Sequence, residues 1–523
     1  MKLSVLLTGG FILGVISMLS CPLAAEVFLP GMQPNEKGIE FAKVQQCRMC
    51  HSGTQNGDAD PFLSWQGSMM AQAMRDPVFL ASLTIANQDI PDVGEFCLRC
   101  HAPRGWLEGR STPADGSALN AEDKEGVSCD VCHRLVDPMS AEAHTFAEKT
   151  PPSPGNAMMV VDTANTVRGP YGDGKGAMPH KTQKSEYHAS GQLCGNCHDI
   201  SNPTLATDVN SQPVPAYGHI ERTYSEWLLS DYAKQGEDGS CQSCHYLAVP
   251  GGGTASRFGG LQRDHFVVHG PVGSSLWVQD ATWMAWKGKG MDRKAFDLAK
   301  QRTEALLKTA ATLALTFPKA DTATLRVTNE TGHKLPTGYI EGRRMWLNAK
   351  FYDRSGKVIQ EIGRYGSRDD TIFGKDVRVP TLLDPEQTTV YECLPGISEA
   401  QAKKYGKEPG KSFHFVLNDV ILKDNRIPPR GFKNSTFKAH LSEPVGAEYQ
   451  DGQYWDEKEL KLPDGCVKVS ASLMMQSVSW EYLKFLAEEN KTDDWGTRLY
   501  EIWTKTGKCP PVVVASVEAE VSG

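Results

Sequence analysis

The chain has 523 residues, with 63 acidic against 55 basic side chains, 40% hydrophobic and 8% aromatic residues. That length suits roughly two to four domains with packed cores, and charged residues at 23% beside a full set of aromatics exclude a largely disordered chain. The formal net charge of -8 leaves no basic patch for nucleic acid, and fourteen cysteines are too few for a disulfide-built miniprotein.

Residues Met1 to Ala25 carry one basic residue, Lys2, then an uncharged run from Leu3 to Leu19. Pro22, Ala24 and Ala25 follow, and the first acid is Glu26. This reads as a secretory signal cleaved near Ala25. Two alternatives are an uncleaved anchor, at the short edge of a membrane-spanning length, and a lipoprotein cleavage box at Met18-Leu19-Ser20-Cys21. The mature protein is then exported, soluble or held only by its N-terminus, where thiols can oxidise.

Ten of the fourteen cysteines fall into five units of one form. They are Cys47-Arg48-Met49-Cys50-His51, Cys97-Leu98-Arg99-Cys100-His101, Cys129-Asp130-Val131-Cys132-His133, Cys194-Gly195-Asn196-Cys197-His198 and Cys241-Gln242-Ser243-Cys244-His245. A two-residue spacer puts both sulfurs on one side of about one helical turn. Both can then form thioethers to the vinyl groups of one haem, with the adjacent histidine as proximal iron ligand. Zinc ribbons also use such cysteine pairs but do not require histidine after the second one. A redox dithiol would occur once, beside a βαβ unit. The pattern therefore predicts five covalently bound haem c groups. The polypeptide between Cys47 and His245 is rich in Gly, Pro and polar residues, so the haems are expected to fill its core.

Nine histidines remain as candidates for the sixth iron positions: His144, His180, His188, His219, His265, His269, His333, His414 and His440. His144, His180, His188, His219, His269 and His333 are the expected distal ligands. His414, in an apparent strand Phe413 to Leu417, and His440 read best as ordinary polar residues. A weak repeat pairs Trp65-Gln66-Gly67-Ser68-Met69-Met70-Ala71 with Trp227-Leu228-Leu229-Ser230-Asp231-Tyr232-Ala233. It adds Met70 as a candidate ligand, against ordinary packing of a flexible side chain. A methionine ligand would raise that haem's potential.

Beyond the last motif, Pro250 and Gly251-Gly252-Gly253 mark a loop, and Asp292 to Ala311 reads as a helix capped by Asp292, with Phe296, Ala299, Thr303 and Leu306 on one stripe. From Thr312 the period becomes two. Thr324 to Thr328 alternates, Met345 to Tyr352 and Lys357 to Ile362 flank a turn at Asp353-Arg354-Ser355-Gly356, and Cys466 to Leu473 alternates again. Such strands predict an antiparallel β-sandwich. The tail returns to helix, with Trp480, Leu483 and Ala487 on one stripe, then Leu499, Ile502 and Trp503 after a cap at Asp493 or Asp494, closed by Gly507. Cys393, Cys466 and Cys509 are expected to form one disulfide and leave one free thiol.

The fold class is thus α+β multidomain: a haem-packed, mostly irregular and helical pentahaem domain, then an antiparallel β-sandwich with C-terminal helices. The expected divisions are a signal at 1–25, a pentahaem region at 26–290, a connecting helix at 291–311, a sandwich at 312–475 and a helical tail at 476–523.

Several stretches look familiar. Gly126-Val127-Ser128-Cys129-Asp130-Val131-Cys132-His133-Arg134, Leu193 to Asp199, Thr223-Tyr224-Ser225-Glu226-Trp227 leading to Cys241, and His265 to Gly273 resemble the multihaem cytochromes related to the tetrahaem electron acceptor of hydroxylamine oxidoreductase. Asn329 to Gly338 and Lys423 to Phe432 resemble a β-domain fused to such haem regions in environmental bacteria. The resemblance implies a distal ligand at Met70, where similar chains commonly carry histidine. No motif ends in lysine, so the catalytic signature of pentahaem nitrite reductases is absent. The expected function is electron transfer along closely packed haems in a periplasmic, cell-surface or extracellular setting. Expected partners are donor and acceptor cytochromes or a quinol-linked reductase, with an oligomer or filament as a further arrangement. The alternatives are an oxidoreductase acting on a small nitrogen or sulfur compound at a five-coordinate haem, or a subunit of an extracellular cytochrome filament.

Overall fold

The computed structural model describes residues 29–151, 153–171, 180–202 and 219–521. The signal segment, with Cys21, lies outside them. Up to about residue 275 the chain is built of short helices joined by turns and small two-stranded ribbons. Leu135–Val136 pairs with Val160–Val161, Ile200–Ser201 pairs with His219–Glu221, and Thr166–Gly169 runs parallel to Lys181–Lys184. A small core of Trp106, Leu107, Val131, Leu135, Val160 and Val161 sits among them.

Two longer helices tie this region to the rest. Pro77–Asp89 starts with proline at its first turn, and Asp76 accepts from Val78 N at 2.8 Å to cap it. Leu276–Trp286 follows the last motif and is apolar nearly all round. Val78, Ala81 and Ile85 pack with Trp277 and Ala281 and with Trp480, Leu483, Leu499 and Trp503 of the tail helices Trp480–Glu489 and Trp495–Lys505. Burying each of the Val, Ile and Leu side chains among these contributes about 1.5–3 kcal/mol, so the tail is a structural part of the haem region. The connecting helix runs Arg293–Leu307, with Asp292 Oδ1 accepting from Lys294 N at 2.8 Å.

The latter half contains only antiparallel pairs. One sheet orders Trp455–Lys461, Thr322–Asn329 and Ala311–Lys319. The facing sheet centres on Arg344–Tyr352, flanked by Val358–Ile362, by Val390–Tyr391 and by Lys468–Gln476. Leu325 and Val327 from the first sheet meet Leu347, Phe351, Val469 and Leu473 from the second. The period-two burial follows from successive side chains pointing to opposite faces. The hairpin turn at Asp353–Gly356 forms as its sequence requires: Asp353 Oδ1 accepts from Ser355 N and Lys357 N, and Gly356 takes a φ of 79°.

Three expectations need correction. The tail is not wholly helical: Val512–Glu520 returns as a strand beside Lys468–Gln476 and extends the second sheet. Phe413 to Leu417 is a turn, in which Leu417 N donates to His414 O at 2.8 Å. Its Phe415, Val416 and Leu417 pack with Ile397, Ala402 and Val93 instead of alternating across a sheet. Finally, Cys393, Cys466 and Cys509 are all free thiols, so the expected disulfide does not form. Cys393 is buried in the strand Cys393–Ile397, while Cys509 is buried beside the tail helices.

Candidate haem-binding sites

Four of the motifs end a short helix on their histidine: Val44–His51, Gly94–His101, Cys129–His133 and Cys241–His245. The fourth motif in the chain continues from Gln192–Gly195, with His198 N donating to Cys194 O at 2.9 Å. Each helical turn sets its two sulfurs on one side. Gly195 is required there, because the Tyr224 ring lies 2.8 Å from where a Cβ would stand.

All five motif histidines are held through Nδ1. His51 meets Ala255 O at 2.8 Å, His101 meets Ala73 O at 2.9 Å, His133 meets Arg168 O at 2.7 Å and His245 meets Val272 O at 2.6 Å. His198 alone meets a carboxylate, Glu221 Oε1, at 2.9 Å. An acceptor at Nδ1 fixes the tautomer and leaves the Nε2 lone pair for a metal. Burial pushes the His101 pKa down to about 4, which keeps that imidazole neutral as a ligand must be. His198 differs: burial opposes its charge, but Glu221 outweighs burial and raises it to about 9, so a metal bound at its Nε2 would displace a proton there. Glu221 itself is held below the usual carboxylate range, its burial outweighed by His198 and by the Thr223 hydroxyl.

Opposing imidazoles provide a second test of fit. His51 and His180 have ring centroids 6.3 Å apart with planes 20° apart, and His245 and His333 are 6.3 Å and 26° apart. Two metal–nitrogen bonds of about 2 Å, each with half a ring beyond it, span about 6 Å. These pairs therefore suit one iron between them. His133 has two neighbours, His188 at 5.9 Å and His269 at 6.5 Å. His188 commits both nitrogens, Nδ1 to Ser185 Oγ at 2.9 Å and Nε2 to Cys132 O at 3.0 Å, whereas His269 uses Nδ1 on Val267 O at 3.2 Å. Burial pushes both down to about 4, and His333 likewise.

The other expected ligands are placed less tellingly. His144 is exposed on the helix Ala143–Phe146. His219 is buried, its Nε2 without a hydrogen-bond partner and its pKa pushed well down by burial. Met70 Sδ faces the Tyr246 hydroxyl at 4.0 Å. Among the described residues, no second histidine ring is stacked with His101 or His198. Phe79 lies flat on His101 at 3.5 Å instead. His414 pairs with Asp89 at 2.8 Å, and His440 Nδ1 sits on Thr436 O.

The motifs adjoin one another at their cysteines. Cys47 neighbours Cys129, Cys100 neighbours Cys197, and Cys194 neighbours Cys241. Cys132 lies within electrostatic reach of Cys194 and Cys197. The internal repeat is real in space. Trp65 Nε1 donates to Val127 O and Trp227 Nε1 to Gly239 O, each two residues before a motif cysteine. Ser68 and Ser230 each donate back to their tryptophan's carbonyl at 2.7 Å. The first copy thus serves the motif at Cys129, though Cys97 follows it more closely in the chain.

A buried charge cluster closes the seam with the sandwich. Lys334 Nζ donates to Asp424 Oδ2 at 2.7 Å, and Arg426 Nη2 bridges Asp424 at 2.7 Å and Glu226 at 3.0 Å. Glu226 Oε2 accepts from Lys334 N and from the Thr337 hydroxyl. These four charged side chains are at most 1% exposed. They fix the loop that carries His333. Glu226 falls within a quoted motif stretch, but neither its role nor that of Glu221 is legible in the sequence; only the fold brings them to the site.

Residues 46–134 match the cytochrome c554 and c-prime family. Among solved structures the chain is similar to a penta-heme cytochrome c552 from Thermochromatium tepidum, at 17% identity and a TM-score of 0.49, covering 92% of this chain and 98% of that one. No curated protein matches. The family match supports a multihaem c-type cytochrome with covalently bound haem, a protein that exchanges electrons with redox partners. Among the described residues, no helix is long and apolar enough to cross a membrane.

Proposed function

We propose that this chain is an exported pentahaem c-type cytochrome, periplasmic or at the cell surface, that carries electrons in a respiratory or extracellular chain. One observation carries the reading: every motif histidine is held through Nδ1, with Nε2 left for iron. Bound haems supply the redox change at iron, while the chain attaches, orients and shields them. His180 and His333 would hold two of the irons together with His51 and His245, and His269 would hold a third with His133, because its Nε2 is freer than that of His188. Donor and acceptor cytochromes or a quinol-linked reductase are the partners. The relation to acceptors of hydroxylamine oxidoreductase rests on the motif stretches alone.

A second reading has one specific observation in its favour. Among the described residues His101 and His198 have no opposing imidazole, which suits an oxidoreductase binding a small nitrogen or sulfur compound at an open iron. Intact mass and electron paramagnetic resonance decide. A carrier shows five haems, all low-spin. A high-spin ferric haem that binds cyanide or nitrite favours the enzyme, and fewer than five haems overturns both.

A further inference from the structure

The five motif histidines divide four to one. Four donate Nδ1–H to backbone carbonyls, which are neutral acceptors. His198 donates to Glu221, whose side chain is 15% exposed and whose Oε1 lies 2.9 Å away. With Nε2 committed to a metal, Nδ1 must carry the proton, so this hydrogen bond runs from an imidazole to a carboxylate. Such charge-assisted bonds are roughly twice as strong as neutral ones, and an outer carboxylate raises the basicity of the ligand it holds.

Glu221 is not free to turn away. The Thr223 hydroxyl donates to the same Oε1 at 3.0 Å, and Gly338 N of the sandwich domain donates to Thr223 Oγ1 at 3.1 Å. The chain of donors therefore runs from the β-domain through Thr223 to Glu221 and His198. Gly338 belongs to the same loop as His333, which faces His245. Arg343 exerts the cationic pull on Glu221 from the sandwich side, and it is anchored by donating to Thr337 O at 2.6 Å.

We propose that Glu221 is a positioning residue that makes His198 the most electron-donating of the five proximal ligands, and that the sandwich loop at Thr337–Gly338 holds it in place. This rests on the pentahaem reading. A haem held at Cys194–Cys197 would then have its oxidised state stabilised relative to its four neighbours, and the lowest potential among otherwise like-ligated haems. Its cysteines neighbour those of three other motifs.

The test is Glu221→Gln in the full holoprotein, titrated by spectroelectrochemistry, with haem counted first. The glutamine keeps the hydrogen bond and the shape but not the charge. One haem should become easier to reduce by about tenfold or more, which is about 59 mV for one electron, with the other four unmoved. Thr223→Val, which loosens the clamp but keeps the carboxylate, should move the same haem the same way by less. Five haems with no potential moved, or all five moved together, overturns it. Fewer than five haems in the unaltered protein overturns the pentahaem reading instead.

Discussion

Asp424→Asn is the sharpest probe of how the sandwich serves the haem region. Asp424 accepts from Lys334 Nζ at 2.7 Å and from Arg426 Nε and Nη2 at 2.8 and 2.7 Å. With Glu226, the cluster holds two cations and two anions and is neutral. Burial alone would push the Asp424 carboxyl up, but Arg426 and Lys334 hold it far below the usual range. Replacing it with asparagine leaves one uncompensated cation in a site that is at most 1% exposed. Breaking a buried pair in this way costs about 3–5 kcal/mol. For a unit of this size about 2–4 °C is lost per kcal/mol, so the melting temperature should fall by about 6–20 °C. The loosened loop carries His333, so the haem facing it should turn partly high-spin below the melting point. Thermal unfolding by circular dichroism and the haem absorption bands read both effects. Adding Lys334→Met restores neutrality, because Arg426 still has Glu226, and should recover more than half of the loss. A drop smaller than about 2 °C with an unchanged spectrum, or a double variant no better than the single, would refute the argument.

Two further outcomes follow from residues already placed. His333→Ala should make one haem high-spin or shift its potential while the other four stay unchanged; five unaltered low-spin haems would mean that the His245–His333 pair is not axial. Glu341 is buried, with Oε1 accepting from Asn418 at 3.2 Å, and burial raises its pKa from 4.5 to about 8. The folded state therefore holds this proton more tightly than the unfolded one. Its stabilisation is full below about pH 4.5 and is lost at about 1.4 kcal/mol per unit as pH rises to about 8. Glu341→Gln should flatten the fall of melting temperature over that window, and parallel slopes for the two proteins would exclude a buried neutral carboxyl.

What could be read in advance depended on how local the physics is. The haem motifs were legible because covalent attachment fixes cysteine spacing and the following histidine within five residues. The Asp353–Gly356 hairpin was legible for the same reason, since Asp353 caps its own turn. Pro77–Asp89 and Leu276–Trp286 were not, because both are enclosed on most sides and show no apolar stripe to read. Val512–Glu520 follows Pro510 and Pro511, and the two prolines mask a strand whose pairing partner lies in Lys468–Gln476. Phe413 to Leu417 reads as a strand because its apolar residues are closely spaced, but Phe415, Val416 and Leu417 fill one pocket while Phe413 packs on Tyr482 and Phe485. His333 was legible as a candidate only because histidine is scarce. Its partner His245 is a matter of tertiary structure.

Glu221 shows why a site of this kind escapes sequence reasoning even when its metal ligands do not. It lies 23 positions after His198, in a three-residue strand that pairs with Ile200–Ser201. The pairing turns the Glu221 carboxylate onto the imidazole, and Thr223, the first residue of the next helix, fixes it there. Nothing in the string His219-Ile220-Glu221-Arg222 marks this. The same short stretch serves three purposes: Arg222 donates to Ile200 O, His219 sits buried in the ribbon, and Tyr224 covers Gly195. Residues that attach a cofactor are constrained by the cofactor's own chemistry and can be counted along the chain. Residues that tune it need only be close in space, so the fold is free to supply them from anywhere. In this chain the sandwich supplies part of that tuning, through the single loop that bears His333, Lys334, Thr337 and Gly338. The sandwich thus reaches the motif histidines His198 and His245 through one loop. Its removal should disturb the sites at His198 and His245 before the others.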